Sequence, residues 1–325
     1  MEDTSLAMNK KLFKKPNKKY KKSTLRTILK QKQLIFMSVP ILIYVFIFNY
    51  LPLSGWIMAF QKYRPGPNKS IFDQKWVGME NFQFLFSDEG FVRVLRNTVA
   101  MSVINLVLSF ITAIGLALLL NEVKNLAFKK TVQTISYLPY FISWVIACSI
   151  IAQALSTENG IVNIILMKLH LIEEPIMWLG KGEYFWGIFG VGNIWKNVGF
   201  NAIIYLGAMT SIDPNLYEAA DIDGAGRFRK MWNITIPSIK STIIVLLIMN
   251  IASVLNAGFE FQYLLKNGLN IEWSETIDVF TLRYGITQGN FSLATAAGMF
   301  KTLVSVVLLF LANWVCKRLG EERLI

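Results

Sequence analysis

Apolar positions along this chain fall in six runs, each about 20 residues long, separated by polar stretches. A bilayer's hydrocarbon core is about 30 Å thick and an α-helix rises 1.5 Å per residue, so a run of this length predicts a membrane-spanning helix. An even number of spans places both termini on one side of the membrane. The predicted spans are 34–54, 97–120, 133–155, 186–209, 241–261 and 291–316.

The polar stretches between the spans predict which side that is. Four of them (1–33, 121–132, 210–240 and 317–325) contain 21 of the 33 Lys and Arg residues, and the three alternate stretches contain 10. Because cytoplasmic loops carry the excess of Lys and Arg, both termini are predicted to be cytoplasmic. Eleven of the basic residues lie in 1–33. Such a tail could bind nucleic acid, but directly before a span it is more typical of contact with anionic lipid.

Composition supports a membrane protein without a catalytic centre. Of the 325 residues 54% are hydrophobic and 17% are charged, against about 25% charged in soluble domains. The two cysteines (Cys148 and Cys316) and His170 have no spacing typical of a metal site or a disulfide framework. The chain contains no G-x-x-x-x-G-K-[ST] phosphate loop and no H-E-x-x-H pair. We therefore expect that it is not an enzyme and does not hydrolyse ATP itself.

Two segments on the predicted outer side have local patterns of their own. Residues 72–86 alternate aromatic and polar side chains, which is typical of an interfacial or packed loop. Residues 160–171 place several apolar side chains partly on one face, which predicts a short amphipathic helix. Neither segment contains a catalytic motif.

The stretch 213–237 is polar and carries both signs of charge, although it lies between two apolar runs. Asp213-Pro214 predicts the start of a helix, because Asp caps free N–H groups and Pro suits the first helical position. That helix should end near Asp223, and Gly224 and Gly226 permit a sharp turn after it. A second short helix should follow.

In the second helix Phe228, Met231 and Trp232 follow the i, i+3, i+4 spacing of one helical face. Basic residues surround this apolar face at Arg227, Arg229 and Lys230. An exposed apolar patch of this kind usually marks a docking site for another protein. The alternative is a surface loop whose apolar side chains enter the lipid.

The sequence "EAADIDGAGRFRKMWNITIP" resembles the EAA loop of permease subunits in binding-protein-dependent ABC importers. The family pattern is Glu-Ala-Ala, Gly after three further residues, and Ile-x-Leu-Pro after nine more. Asp223-Gly224-Ala225 is typical of the carbohydrate-importing branch, and Ile236 replaces the usual Leu. Four shorter segments between residues 48 and 209 also look like polysaccharide-type sugar permeases related to the larger maltose-permease subunit. The matching loop positions are Glu218, Ala219, Ala220, Gly224, Ile234 and Pro237.

This resemblance implies an all-α membrane protein with the type I ABC importer permease fold, a basic tail at 1–33 and a permease domain at 34–325. It implies a bacterial cell membrane, a second permease subunit, a dimer of cytoplasmic ATPase subunits and an extracellular sugar-binding protein. No cofactor is expected in this chain, because ATP and magnesium would be bound by the ATPases. Residues implied to couple the chain to the ATPase are Glu218, Ala219, Ala220, Asp223, Gly224, Phe228, Met231, Trp232 and Pro237.

Polar residues inside spans are costly and usually face a cavity. In the maltose-type relatives the corresponding spans line the sugar site, which suggests a substrate-binding set here. The alternative is hydrogen bonding between helices. Lys196 could meet an acidic sugar, although pairing with a carboxylate or extending to the membrane surface is the favoured interpretation. The predicted substrate-binding residues are Tyr140, Ser143, Asn197, Asn201, Tyr205, Asn256 and Glu260.

The function that accommodates these features is the permease subunit of an ABC importer for oligosaccharides or polysaccharide fragments. One alternative keeps this machinery and changes the cargo to a peptide or another solute. Another is an ion-coupled secondary transporter in which Glu260, Lys196 or Lys301 is the coupling group. A third is a membrane scaffold that does not transport.

Overall fold

The structure, a computed structural model, describes residues 32–67, 69–256 and 258–318. Most of the predicted basic tail 1–33 lies outside the described residues. The chain divides into two units, Met1–Gly55 and Trp56–Ile325. The described part of the first unit belongs to helix α1 (Lys32–Phe60), which contains α, π and 3-10 turns. The contacts discussed below all lie in the second unit.

In the described part of the second unit, the regular structure is helical apart from one small antiparallel hairpin of strands β1 (Gln61–Lys62) and β2 (Lys75–Trp76), in which Gln61 pairs with Trp76. The helices that follow the hairpin are α2 (Glu80–Ser87), α3 (Glu89–Glu122), α4 (Leu126–Phe141), α5 (Trp144–Ala154), α6 (Ile161–Lys168), α7 (Phe185–Met209), α8 (Pro214–Ile222), α9 (Arg227–Ser238), α10 (Lys240–Ala252), α11 (Phe259–Leu265), α12 (Ile271–Ser274), α13 (Ile277–Leu282) and α14 (Phe291–Arg318).

Within the described ranges, three helices (α1, α3 and α14) are long and apolar enough to cross a membrane. The number rises to five if the bent pairs α4–α5 and α9–α10 each count as one span. Helix α7 covers the predicted span 186–209, and its 25 residues would extend about 37 Å. Its asparagines and Lys196 make it too polar to join that set.

Two predicted spans differ from the structure. The span 133–155 is not one helix, because α4 and α5 meet at an angle of 104°. Pro139 lacks the N–H of a regular helical bond, and Ser143 caps the new helix by accepting a hydrogen bond from Ile146 N–H (3.3 Å). The predicted span 241–261 ends early, since α10 stops at Ala252 and Glu260 lies on the separate helix α11.

Helices α3 and α7 pack along each other and form the centre of the unit. Gly190 of α7 permits this approach, since a Cβ there would come within 3.1 Å of the side chains of Ile104 and Leu108. Buried apolar side chains form three clusters. One joins α2, α3, α13 and α14, one joins α3, α7 and Ile239, and one joins α3, α5, α7 and α11.

The segment 262–290, predicted as an outer connection, is folded against α3 and α7. The Asn97 amide of α3 donates to the carbonyls of Glu272 (3.0 Å) and Glu275 (3.1 Å). Glu275 accepts two bonds from Arg283, at 2.6 and 3.0 Å. Burial alone would lower the pKa of Arg283, but the hydrogen-bonded Glu275 carboxylate raises the pKa above its ordinary value, so the guanidinium stays charged.

An ion pair joins Lys301 of α14 to Asp278 of α13, with Nζ 2.6 Å from Oδ1. We expect Lys301→Met to lower the free energy of unfolding by about 2–3 kcal/mol, because it leaves a partly buried carboxylate without its cation. Lys301→Met combined with Asp278→Asn should recover most of that loss. Thermal unfolding of the detergent-purified protein measures both variants. Equal losses in the single and double variants would contradict a pairing role.

Candidate coupling loop and polar seam

Helix α8 begins as the sequence predicts. Asp213 accepts a hydrogen bond from Asn215 N–H through Oδ1 (3.0 Å), and Pro214 occupies the first helical position. The helix ends at Ile222, close to the predicted Asp223. Its C-terminal end is closed by two backbone bonds, from Gly224 N–H to Asp221 O (3.1 Å) and from Ala225 N–H to Ala220 O (2.8 Å). This pair of bonds is the Schellman arrangement.

Gly224 has φ +72°, and a Cβ there would meet no atom within 4 Å. Glycine is therefore required here because of its left-handed backbone, and not because a side chain would clash. A left-handed backbone costs an L-residue about 1–2 kcal/mol. Gly226 differs, because its φ of −68° and ψ of 165° suit any residue. Of the two glycines predicted to form the turn, the structure requires only the first.

Helix α9 is longer than the short helix predicted, and only Ile239 separates it from α10, at a bend of 62°. Phe228 and Trp232 are 83% and 73% exposed. Met231 instead packs against the cluster that contains Ile239, so its predicted place on the exposed face is wrong. Successive helical residues are 100° apart, and Met231 and Trp232 therefore diverge to opposite sides of Phe228. The sequence reasoning also missed Ile222, which is 86% exposed.

Two side-chain contacts hold α8 against α9, and the sequence signalled neither. The hydroxyls of Tyr217 and Thr235 share a hydrogen bond of 2.9 Å, and Thr235 is fully buried. Lys230 forms an ion pair with Asp221 (2.7 Å). These contacts hold the two helices of the loop together, and the second helix, α9, continues through Ile239 into α10.

The remaining predicted coupling residues lie on the surface of the same loop. Glu218, Ala219, Asp223 and Pro237 are exposed, and Ala220 is partly buried. Among the described residues, no hydrogen bond or ion pair of the Glu218 side chain is found. The Glu218 side chain is exposed at the surface of the loop.

Polar side chains of α7 form a line at four-residue spacing, which places Asn193, Asn197, Asn201 and Tyr205 on one face. The Asn197 amide donates to Asn193 Oδ1 (3.1 Å), and the Asn201 amide donates to Ser109 Oγ of α3 (3.1 Å). Two of the predicted substrate residues are thus engaged in hydrogen bonds between or along helices. Tyr205 is almost fully buried and packs edge-on against Phe110.

Two small cavities share Asn250 of α10, and the first of them adjoins this line. One, of about 50 Å³, is lined by Asn201 and Tyr205 with Ser109, and the other, of about 100 Å³, by Asn256 with residues that the prediction omitted. Ser102 Oγ is buried beside the second cavity and has no hydrogen-bond partner among the described residues. The omitted lining residues are Ser102, Asn105, Asn250 and Ser253. We call the α7 line and these two cavities the polar seam.

The other predicted substrate residues lie around the bend between α4 and α5. The ring of Tyr140 stacks on Phe200 with centroids 4.0 Å apart, and Ser143 caps α5. Glu260 is exposed on α11, next to Phe261, whose ring meets Trp144 edge-on at 5.9 Å. The predicted set therefore divides between the polar seam and the bend.

Lys196 of α7 lies at the same bend and is 4% exposed. Its ammonium donates to three backbone carbonyls, those of Pro139 (3.2 Å), Tyr140 (3.0 Å) and Ile142 (2.7 Å). An ammonium has three N–H donors, so these bonds use all of them. Neither favoured interpretation of Lys196, a carboxylate partner or extension to the membrane surface, holds in the described chain.

Comparison with known proteins places most of the chain in one family. Residues 105–321 match the family model described as "Binding-protein-dependent transport system inner membrane component". The chain is 42% identical over 316 residues to the polygalacturonan/rhamnogalacturonan transport system permease protein YteP of Bacillus subtilis (strain 168), covering 97% of this chain and 96% of that protein. It is 40% identical to Protein LplB of the same organism, over 93% and 94% of the two chains.

Solved structures agree with the sequence matches. The chain is similar to one in the crystal structure of a bacterial ABC transporter involved in the import of the acidic polysaccharide alginate, with a TM-score of 0.83, 37% identity, and coverage of 91% of this chain and 98% of that one. A second structure, of the alginate transporter in complex with alginate pentasaccharide-bound periplasmic protein, gives a TM-score of 0.85 at 36% identity and covers 93% of this chain and all of its counterpart.

Proposed function

This chain belongs to the family of binding-protein-dependent transport system inner membrane components, and we propose that it forms half of the translocation path of an ABC importer for oligosaccharides or polysaccharide fragments. The other half would come from a second permease subunit. An extracellular binding protein would deliver the sugar, and a pair of cytoplasmic ATPase subunits would drive the cycle. ATP and magnesium would bind to those subunits, so that this chain transports without catalysing a reaction.

The observation that carries the proposal is the exposed apolar surface of the loop 213–237. Phe228 and Trp232 stand on a helix that is braced against α8 by the Tyr217–Thr235 bond and continues through Ile239 into α10. A partner protein that binds these two rings would therefore move α9, and α10 would move with it. The exposed Glu218 and the guanidinium groups of Arg227 and Arg229 would give the contact a polar rim.

The polar seam supports a sugar path between α3, α7 and α10. Amides and hydroxyls suit sugar hydroxyl groups, and the unpartnered Ser102 Oγ and the amide of Asn256 face open volume there. Tyr140 supplies an aromatic face near the bend. We infer that Asn197, Asn201, Asn256 and their neighbours contact the cargo when α10 moves away from α3, since the cavities of about 50 and 100 Å³ are too small for a sugar ring.

The relatives point to polysaccharide fragments as the cargo, since one is named for polygalacturonan and rhamnogalacturonan and another for import of the acidic polysaccharide alginate. We infer an oligosaccharide as the substrate class. The excess of basic residues in 1–33, 121–132, 210–240 and 317–325 supports cytoplasmic termini and a cytoplasmic position of loop 213–237.

A tagged chain purified from its native membrane tests the partner assignment. We expect a second permease and an ATPase to copurify, and the ATPase to be lost from Phe228→Ser/Trp232→Ser, because buried aromatic anchors often contribute about 2 kcal/mol or more each to an interface. Phe72→Ser is the matched control, since Phe72 is also 73% exposed but lies in the outer segment. A wild-type chain that purifies without an ATPase would contradict the proposal.

A further inference from the structure

The bend between α4 and α5 is held by a residue of another helix. Helix α4 ends at Phe141, and the last carbonyls of a helix have no partner within it. Lys196 of α7 binds two of these, Pro139 O and Tyr140 O, and also Ile142 O inside the bend. A cation at this position also complements the negative end of the helix dipole.

The contact between α4 and α7 is close just beyond Lys196 along α7. At Gly199, one turn further along α7, a Cβ would fall on the backbone of Ser136 and 2.9 Å from Tyr137 N. At Phe200, the ring stacks on Tyr140 with an interplanar angle of 4°. The ammonium itself lies 5.0 Å from the centre of the Trp144 ring, on the far side of the bend. Lys196 therefore contacts both arms of the bent span.

Helix α7 also leads into the coupling loop. It ends at Met209, and α8 begins at Pro214. Lys196 lies 13 residues before Met209, or about 20 Å along a stiff helix. A displacement of α8 would reach the bend through α7, provided that α4 and α5 are fastened to it.

We propose that Lys196 is a positioning residue that fastens the bent span α4–α5 to α7, so that the bend moves with the coupling loop during transport. The ammonium does so by bonding to the free carbonyls at the end of α4, and not by contact with the cargo. The inference rests on the proposed importer function. It assigns to this lysine neither sugar binding nor the transport of an ion.

The test uses the complete complex, purified through the tagged chain and reconstituted into liposomes. Uptake of a labelled trigalacturonate and the ratio of ATPase activity with and without sugar-loaded binding protein are measured for wild type, Lys196→Met and Lys196→Arg. We expect Lys196→Met to reduce uptake about tenfold or more and to bring the ATPase ratio close to one, because a coupling between sites is typically worth 5- to 150-fold. The half-saturating concentration of the loaded binding protein should stay within about twofold.

Lys196→Arg should recover much of the coupling, because a guanidinium also donates to carbonyls and keeps the charge. The matched control is Lys301→Met/Asp278→Asn, which removes the other lysine within a span together with its partner and should keep the ATPase ratio of wild type. A normal ratio and normal uptake in Lys196→Met would overturn the proposal, as would equal losses in the Met and Arg variants.

If Lys196→Met does not accumulate, Lys196→Gln replaces it, since its amide keeps two N–H donors without the charge. Failure of both variants to accumulate would make Lys196 a folding residue and overturn the proposal. A wild-type complex without ATP-dependent uptake of the trisaccharide, or of an uncharged trisaccharide tested beside it, would overturn the importer function and this inference together. If the wild-type complex is active and Lys196→Met keeps the wild-type uptake and ATPase ratio, only the positioning role of Lys196 is overturned, and the importer function stands.

Discussion

Gly224→Pro should abolish coupling while leaving the membrane helices folded. Proline fixes φ near −65°, whereas Gly224 has φ +72°. Proline also lacks the N–H that Gly224 donates to Asp221 O, and it disfavours the near-helical backbone of Asp223. We expect the ATPase recovered with the tagged chain, and ATP-dependent uptake, to fall to background. Copurification and uptake into proteoliposomes measure the two effects.

Three further variants test whether the effect of Gly224→Pro comes from the left-handed turn. Gly224→Asn should retain most activity, since Asn tolerates the left-handed conformation, and Gly224→Ala should be intermediate, with a cost of about 1–2 kcal/mol. Gly226→Ala should behave as wild type, because its φ of −68° is ordinary and a Cβ there meets no atom within 4 Å. An active Gly224→Pro complex would show that the turn is not needed for docking.

Gly199→Ala is expected to have the largest effect on folding. A Cβ at this position would overlap the backbone of Ser136, which cannot move aside as the tip of a side chain can. The substitution must push α4 away from α7, and overpacking of this kind costs about 3 kcal/mol. The separation should also lengthen the bonds from Lys196 to the end of α4. We expect a lower unfolding temperature of the purified protein and less of it in the membrane.

Gly207→Ala is the matched control on the same helix. No atom lies within 4 Å of a Cβ at Gly207, and alanine favours a helix by up to about 1 kcal/mol over glycine. The control should be as stable as wild type or slightly more stable. Equal stability of Gly199→Ala and Gly207→Ala would contradict the close approach of α4 and α7.

Local signals explain which parts of the fold were predictable from the sequence. The cap at Asp213, the proline after it and the glycine at 224 each act within a few residues, and the structure confirms the helix and the turn that they predict. Family membership confirms the resemblance drawn from the same loop. Long apolar runs likewise predicted the helices, because a run of about 20 apolar residues is a property of a single segment.

The bend at 142–143 was not predictable in this way. The apolar run continues through it, and the lysine that binds its carbonyls is 54 residues away from Ile142. Separations of 18 and 23 residues likewise hid the hydrogen bond between Tyr217 and Thr235 and the ion pair between Lys301 and Asp278. Met231 was misplaced for a different reason. An i, i+3, i+4 pattern fixes a stripe about 100° wide, and only packing decides which edge of the stripe faces the core.

The predicted substrate residues show where sequence reasoning reaches its end. Asn and Ser within a predicted span can line a cavity or bond to a neighbouring helix, and the described residues include an example of each. The Asn201 amide bonds to Ser109, while Asn256 lines open volume. Whether such a residue lines a cavity or forms a hydrogen bond depends on the helix that faces it, and the sequence of its own span does not show which helix that is. Ser102 of α3 was not predictable as a cavity residue, because nothing in its own apolar run distinguishes it from a serine that packs between helices.

ATP hydrolysis by partner subunits is proposed to drive a sugar through this chain. The most direct measurement is uptake of labelled trigalacturonate and of maltotriose into liposomes that contain the purified complex, with loaded binding protein outside and ATP inside. We predict uptake of at least one sugar that requires internal ATP and is lost in Gly224→Pro. Uptake that proceeds without ATP and collapses with the proton or sodium gradient would contradict the account and identify an ion-coupled transporter instead.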